Sequence, residues 1–142
     1  MTGVQTCALP IFARNYQYAT LEKVTPLIRR VTARNPSGFT FHGTGTYIVG
    51  HGNVAVIDPG PLLDEHIEAL KSLLGQETVT HILITHTHAD HSPAAAPLKA
   101  FWQTKTYGFG PHGSGKMEEG ILIEEGDRKS TRLNSSHVVI SY

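Results

Sequence analysis

Residues 80–91 of this chain read Thr80-His81-Ile82-Leu83-Ile84-Thr85-His86-Thr87-His88-Ala89-Asp90-His91. The first half of this stretch is apolar at its centre and rich in β-branched side chains, and a short run of this kind predicts a buried strand. The second half is polar and contains three histidines and an aspartate. The sequence therefore predicts a strand that ends at a crowded group of ionisable side chains.

The ionisable group has the composition of a metal site. In an extended segment, His86 and His88 point to the same side, and neutral imidazoles bind zinc at about 2.0–2.1 Å. Asp90 and His91 follow after the chain turns and can face the same cavity. A divalent cation there would lower the pKa of bound water and generate a hydroxide nucleophile. The alternative is a histidine-rich surface loop, but it gives no reason for four such groups to crowd together after a buried strand.

The segments before this stretch predict an antiparallel meander followed by a helix. Short runs rich in β-branched and aromatic residues lie at residues 39–41, 46–49 and 54–57, and glycine-containing turns separate these runs. An apolar stripe with helical spacing then predicts a helix from near Asp64 to Gly75. The members of this stripe are Leu63, Ile67, Leu70 and Leu74.

The segments after the stretch predict alternating helix and strands. Ser92 and Pro93 suit the N-cap and the first position of a helix that runs through Ala100. Further strands are predicted at residues 104–107 and 120–123. A meander followed by strands that alternate with helices indicates a mixed α/β layered fold.

The histidine cluster also carries a family resemblance. Residues 86–91, His86-Thr87-His88-Ala89-Asp90-His91, match the H-x-H-x-D-H signature of the metallo-β-lactamase superfamily. Upstream, the segments that begin at Asn35-Pro36, at Gly43-Thr44-Gly45 and at Val56-Ile57-Asp58 are similar to the first strands of its endoribonuclease and glyoxalase II branches. The resemblance implies an α/β fold that forms the N-terminal half of a four-layer αββα sandwich.

The resemblance also implies roles for individual residues. His86 and His88 would bind one metal ion, and Asp90 and His91 would bind a second. Asp90 would also orient the attacking hydroxide, which makes it the predicted catalytic residue. Asp58 resembles the acidic residue that supports the ligands from behind, although a turn carboxylate before Pro59 is the alternative. Two Zn²⁺ ions are implied for the full-length protein, whose third histidine, bridging aspartate and last histidine would lie beyond this chain.

The remaining histidines are predicted to have other roles. His112 follows His91 too closely to be the third histidine of the family, and we interpret it as a loop residue. Solvated or structural positions are predicted for His42, His51, His66 and His81.

A glycine-rich segment at residues 113–116 lacks the final Ser or Thr of a phosphate-binding loop, because Met117 stands there.

The predicted function is that of a zinc-dependent hydrolase that acts on a small molecule or on single-stranded RNA. An endoribonuclease-like phosphodiesterase is slightly favoured by the context of residues 43–47, and a glyoxalase II-like thioesterase is the alternative. An RNA substrate normally requires a basic groove. Within residues 12–126 the only basic cluster is Arg29-Arg30 with Arg34. A further alternative is an inactive, truncated half-domain. The oligomeric state is not predicted.

Composition excludes several other classes of protein. The chain has 142 residues, no net formal charge, 39% hydrophobic residues and 17% charged residues, which is typical of one globular domain. Its apolar runs are far shorter than the roughly 18 residues of a membrane span. The single cysteine, Cys7, excludes an internal disulfide and favours a reducing, cytoplasmic location.

The two ends of the chain match each other as nucleic acid. Residues 2–11 can be encoded by ACT GGA GTT CAG ACG TGT GCT CTT CCG ATC, and the reverse complement of these codons encodes residues 127–136. This DNA resembles a common short-read sequencing adapter. We therefore interpret residues 1–11 and 127–142 as adapter-derived peptides and residues 12–126 as a partial metallo-β-lactamase domain.

Overall fold

A computed structural model describes residues 16–108 of the chain and the backbone of residues 123–125. Seven strands within these residues form one sheet. The strands are β1 (Glu22–Lys23), β2 (Ile28–Thr32), β3 (Gly45–His51), β4 (Asn53–Ile57), β5 (Thr78–Leu83), β6 (Lys105–Gly108) and β7 (Ile123–Glu125). The helices are α1 (Asp64–Leu73) and α2 (Ala95–Trp102).

The order of the strands across the sheet is their order in the sequence. Strands β1 to β4 pair antiparallel, whereas β4 to β7 pair parallel. Parallel neighbours need a crossover connection, and α1 and α2 lie in the connections from β4 to β5 and from β5 to β6. The carboxyl ends of β4 and β5 consequently meet at one edge of the sheet, where Ile57 pairs with Leu83.

The core lies between the two helices and one face of the sheet. Alternate strand residues point to this face because successive side chains of a strand point in opposite directions. Burying each large aliphatic side chain contributes about 1.5–3 kcal/mol. Fully buried members of the core include Ile48, Val54, Val56, Leu70, Leu74, Ile82 and Leu98.

The opposite face of the sheet has an apolar centre that is only partly covered. Its central side chains alternate with the core residues along β3 to β6 and are half-buried or exposed. They are Tyr47, Val49, Ala55, Ile57, Leu83 and Tyr107. The described residues thus form two layers, a sheet with helices on one side, which agrees with the predicted half of a four-layer sandwich.

Most of the predicted elements are confirmed. Strands lie at the predicted residues 46–49 and 54–57, and the helix of the apolar stripe ends at Leu73, close to the predicted Gly75. The predicted strands at residues 80–85 and 104–107 correspond to β5 and β6, with bounds that differ by a residue or two. Of the strand predicted at residues 120–123, residues 120–122 lie outside the described residues, and Ile123 is the first residue of β7.

The strand predicted at residues 39–41 is wrong, because residues 38–42 form a turn. The Ser37 hydroxyl accepts hydrogen bonds from the backbone N–H groups of Phe39 and Thr40, and Phe41 has a positive φ of 58°. A serine that bonds to nearby backbone groups stabilises a turn in place of a strand.

The start predicted for the second helix is also wrong. Helix α2 begins at Ala95, and Ala94 occupies the N-cap position without a side-chain cap. The Ser92 hydroxyl instead donates to the His88 carbonyl at 3.4 Å, which ties Ser92 to the loop of the histidine cluster. Neither described helix is long and apolar enough to cross a membrane.

Candidate metal centre

Two loops at the carboxyl edge of β4 and β5 form the candidate site. Asp58 follows β4 directly, and its N–H donates to the Leu83 carbonyl at 2.8 Å. Its carboxylate accepts hydrogen bonds from the Thr85 backbone N–H at 2.8 Å and from the Thr85 hydroxyl at 2.5 Å. The parallel pairing of the two strands therefore continues into side-chain contacts between the loops.

All four predicted metal ligands lie in this cluster. The ring centroids of His86 and His88 are 4.6 Å apart, and those of His86 and His91 are 4.0 Å apart. One nitrogen or oxygen from each of His86, His88 and Asp90 lies within 4.8 Å of the others. Such a group of imidazole and carboxylate donors is of the kind that zinc accepts.

A second group that meets the same distance limit contains Asp58, His86 and His91. Asp58 is only 7% exposed, and its two oxygens already accept hydrogen bonds from Thr85 and from His91 Nδ1, the latter at 3.1 Å. These contacts suit a residue that supports the ligands better than one that binds the ion itself. The Asp58 side chain thus contacts both Thr85 and His91, in addition to its place in the turn before Pro59.

Hydrogen bonds at Asp58 determine which nitrogen of the His86 and His91 rings keeps a free lone pair. Burial opposes ionisation of Asp58, but hydrogen bonds from His91 and Thr85 outweigh it and hold the pKa of the carboxyl below its ordinary value. The ionised carboxylate can only accept, so the Thr85 hydroxyl must donate to it. Because this hydroxyl has one hydrogen, it accepts from His86 Nδ1, which lies 2.9 Å away. The Nε2 lone pair of His86 is therefore free for a metal.

The other charges of the cluster act in opposite directions on two of the rings. Burial lowers the pKa of His86, and positive charge on His91 and His88 lowers it further, which favours the neutral form that binds metals. The hydrogen bond to Asp58 raises the pKa of His91, and Asp90 Oδ2 lies 3.2 Å from His91 Nε2. A cation that binds His91 Nε2 must displace a proton there, so its affinity falls with falling pH.

Three positioning contacts were not predicted from the sequence. Thr85 links His86 to Asp58, and Thr44 donates to Asp90 Oδ2 at 3.0 Å. Asn35 in turn donates to Thr44 Oγ1 at 3.0 Å. The only signal in the sequence was that Asn35 and Thr44 stand in the segments that carry the family resemblance, because contacts between residues this far apart leave no local pattern.

An open cleft of about 670 Å³ lies beside the cluster. His88, Asp90 and His91 line one side, and Phe39, Thr40 and Pro61 line another. Phe39 is fully exposed. The cleft thus offers a partly apolar surface next to the ionisable groups.

The basic cluster considered for an RNA substrate is neutralised in the structure. Each arginine has a carboxylate partner, and the closest N···O distances are 2.9 Å for Arg29–Glu77, 2.7 Å for Arg30–Glu22 and 3.3 Å for Arg34–Glu65. These side chains form no basic groove in the described part of the chain. An RNA substrate is not supported.

The other described histidines belong to neither candidate metal group. His66 is 2% exposed, and its Nε2 lies 2.9 Å from Thr46 Oγ1 and 3.1 Å from the Pro59 carbonyl, which is a structural role. His42 stacks on Tyr16, whereas His51 and His81 are exposed. His112 lies outside the described residues.

Comparison with known proteins identifies the family. The family profile described as Metallo-beta-lactamase superfamily matches residues 39–131. The atrochrysone carboxyl ACP thioesterase dmxR1 of Cryptosporiopsis sp. is 32% identical over 104 residues, which are 71% of this chain and 32% of that protein. A beta-lactamase-like protein 2 homolog of Caenorhabditis elegans is 40% identical over 75 residues, covering 50% of this chain and 25% of that protein.

Solved structures show the same fold at low sequence identity. A beta-lactamase domain protein from Burkholderia ambifaria superposes with a TM-score of 0.59 at 16% identity, covering 75% of this chain and 35% of that chain. The metallo-beta-lactamase FIM-1 from Pseudomonas aeruginosa also gives a TM-score of 0.59, at 15% identity, covering 75% of this chain and 49% of that chain. The chain spans about a third of the length of the Cryptosporiopsis thioesterase. The matched profile, the fold and the clustered H-x-H-x-D-H side chains lead to one conclusion: the chain belongs to the metallo-beta-lactamase superfamily.

Proposed function

We propose that this chain carries part of the zinc centre of a thioester hydrolase. The observation that carries the proposal is the convergence of His86, His88, Asp90 and His91 at one sheet edge, with Asp58 behind them. Zinc supplies Lewis-acid polarisation and lowers the pKa of bound water toward neutrality.

In this proposal each residue of the cluster has a separate task. His86 and His88 hold one Zn²⁺ ion, and Asp90 and His91 hold the second. Asp58 fixes His91 directly and fixes His86 through Thr85, so that both rings keep the lone pair on Nε2 for an ion. Asp90 also orients the attacking water, because its carboxylate is the acceptor next to the ligating rings.

A thioester is a better supported substrate than a phosphodiester. Relatives of this chain from Cryptosporiopsis sp. and Claviceps purpurea are named atrochrysone carboxyl ACP thioesterases. The cleft has an apolar side at Phe39 and Pro61 that suits the acyl part of a substrate. The arginines that would contact an RNA backbone are paired with carboxylates. The phosphodiesterase prediction therefore gives way to the thioesterase alternative.

The proposal is tested by metal content and hydrolysis in the same samples. Zinc is measured by elemental analysis, and acyl-thioester and single-stranded RNA cleavage are assayed on this chain and on a longer chain that continues past Gly126. We expect the longer chain to hydrolyse the thioester and the 142-residue chain to show little or no hydrolysis. Asp90→Asn in the longer chain should sharply reduce thioester hydrolysis.

The exposed His51 provides a control, because His51→Gln changes a histidine far from the cluster in sequence and should leave both zinc content and hydrolysis unchanged. RNA cleavage without thioester cleavage would overturn the thioesterase proposal. Equal zinc content in wild type and in a His86→Ala, His88→Ala double variant would overturn the metal assignment.

A further inference from the structure

We infer that Asn35 and Thr44 are positioning residues that hold Asp90 in one orientation for the metal. The inference rests on the proposed function, since it concerns the same centre. It assigns a role to two residues that are not candidate ligands and that precede the H-x-H-x-D-H segment by more than forty positions.

The contact to Asp90 comes from a nearly buried hydroxyl. Thr44 Oγ1 donates to Asp90 Oδ2 at 3.0 Å, and Thr44 is 6% exposed. His91 Nε2 lies 3.2 Å from the same oxygen. The Thr44 hydrogen bond thus fixes Oδ2, and no hydrogen bond in the described part of the chain reaches Oδ1.

The direction of the Thr44 hydrogen bond follows from Asn35. The Thr44 backbone N–H donates to Asn35 Oδ1 at 2.8 Å, which fixes the oxygen end of the amide. The amide nitrogen must then face Thr44 Oγ1, to which it donates at 3.0 Å. A hydroxyl that accepts this bond keeps its single hydrogen for Asp90. The Asn35 amide therefore turns Thr44 into a donor toward the carboxylate.

Backbone contacts hold this pair in place. The Thr44 carbonyl accepts from the Ala33 N–H at 2.9 Å, and the Thr40 hydroxyl donates to the Asn35 carbonyl at 2.5 Å. Gly43 has a φ of +141°, and a Cβ there would lie 2.0 Å from the Ala33 carbonyl oxygen. The loop between β2 and β3 is thus closed around Asn35, at the point where β3 begins beside β2.

Outer partners of metal ligands typically change metal affinity 10–100-fold when they are removed. We expect Thr44→Val, which keeps the shape of the side chain and removes the hydroxyl, to weaken the binding of one Zn²⁺ ion by about this factor. Thr44→Ser retains the hydroxyl and should bind zinc like the wild type. Asn35→Asp should resemble Thr44→Val, because the new carboxylate accepts the hydroxyl hydrogen that otherwise goes to Asp90.

The experiment is a zinc titration of the full 142-residue chain against a chromophoric chelator, with thermal unfolding in EDTA as the check of folding. Thr80→Val is the matched control, since the Thr80 hydroxyl donates to the Val54 carbonyl within the sheet. It should leave zinc affinity unchanged. If Thr44→Val does not fold, Asn35→Asp carries the test.

Two results would overturn the inference, and they are distinguishable. Wild-type zinc affinity in both Thr44→Val and Asn35→Asp would refute the positioning role and leave the proposed zinc centre intact. A wild-type chain that binds no zinc at all would refute the zinc centre and the positioning role together.

Discussion

At the scale of single residues, the buried carboxylate of Asp58 orients two of the rings in the cluster. It accepts from His91 Nδ1 directly, and it accepts the Thr85 hydroxyl that in turn accepts from His86 Nδ1. Both imidazoles therefore keep their lone pair on Nε2. Because a metal-binding imidazole needs a free lone pair on the nitrogen that faces the ion, we propose that this one carboxylate prepares two candidate ligands.

Replacing Asp58 with Asn tests this role. The amide offers one oxygen and one NH₂ group, and once its oxygen faces the Thr85 N–H, the NH₂ group faces His91 Nδ1. His91 must then accept at Nδ1 and carry its hydrogen on Nε2. We expect zinc affinity to fall by about 10–100-fold, as measured by chelator competition, whereas the exposed control Asp64→Asn should bind zinc normally. Unchanged affinity in Asp58→Asn would contradict the role.

His66 makes folding stability depend on pH. Burial lowers the pKa of His66 to about 4, although the hydrogen bond with the Pro59 carbonyl acts in the opposite direction. In the unfolded chain a histidine titrates near 6.5. The unfolded state therefore binds more protons between these values, so stability is complete above pH 6.5 and is lost as the pH falls toward 4. From pH 7.5 to pH 5 the loss from this residue is about 2 kcal/mol.

His66→Gln, which keeps a hydrogen-bond donor and cannot titrate, should remove this part of the pH dependence. Urea unfolding of both chains in EDTA at pH 7.5 and pH 5 measures the difference. Equal losses of stability in the wild type and the variant would show that His66 does not titrate as described.

At the scale of elements, the parallel pairing of β4 and β5 assembles the site. Both strands end at the same edge, and the Asp58-Pro59-Gly60 turn then contacts the loop that follows β5. The Gly60 N–H donates to the His91 carbonyl at 2.8 Å, and the Gly60 carbonyl accepts from the Ala94 N–H at 3.0 Å. The turn after one strand thereby fixes the loop that carries His91.

Gly60→Ala should disturb this contact more than an ordinary glycine substitution would. Gly60 has a φ of +97°, and a Cβ there would lie 2.8 Å from His66 Nε2. Gly52 also has a positive φ, +74°, but a Cβ there meets nothing within 4 Å. We expect Gly52→Ala to lose about 1 kcal/mol from backbone strain alone and Gly60→Ala to lose about 2–4 kcal/mol. Urea unfolding measures both, and equal losses would contradict the packing described for Gly60.

Elements with a regular hydrophobic pattern could be predicted from the sequence, and the others could not. The stripe from Leu63 to Leu74 predicted α1, and the apolar run before His86 predicted β5. Strand β2 was not predicted, because Arg29 and Arg30 interrupt its apolar pattern. In the structure they pair with Glu77 and Glu22.

The site divides in the same way. Its candidate ligands share one local motif, so the sequence could indicate them. Thr44 and Thr85 instead contact the cluster through hydrogen bonds to residues that are distant in the sequence. Thr44 bonds to Asp90, and Thr85 bonds to Asp58. Such contacts require the three-dimensional structure.

At the scale of the whole molecule, one side of the sheet differs from the other. Helices cover the core face, whereas the second face presents half-buried or exposed apolar side chains such as Tyr47, Val49 and Ile57. An apolar sheet centre that is only partly covered is typical of a face that packs against a further layer. This arrangement agrees with two layers of the four-layer family fold. The chain spans about a third of the length of the Cryptosporiopsis thioesterase.

Removing residues 1–11 and 127–142 tests the interpretation of the ends. Peptide encoded by adapter DNA has not been selected to pack against the domain, so the shortened chain should keep its zinc content and its free energy of unfolding. The measurements are elemental analysis and urea unfolding. A loss of more than about 1 kcal/mol, the central effect of a harmful substitution, would count against the adapter origin.

The central claim is that the side chains after β5 form a metal centre, and X-ray absorption at the zinc edge tests it most directly. The 142-residue chain, loaded with one equivalent of Zn²⁺, is compared with its His86→Ala, His88→Ala double variant. We predict imidazole nitrogens at about 2.0–2.1 Å from zinc in the wild type and a clearly weaker imidazole contribution in the double variant, in which His91 is the candidate imidazole ligand that remains. A spectrum with oxygen ligands alone, or one that is the same in both chains, would contradict the claim.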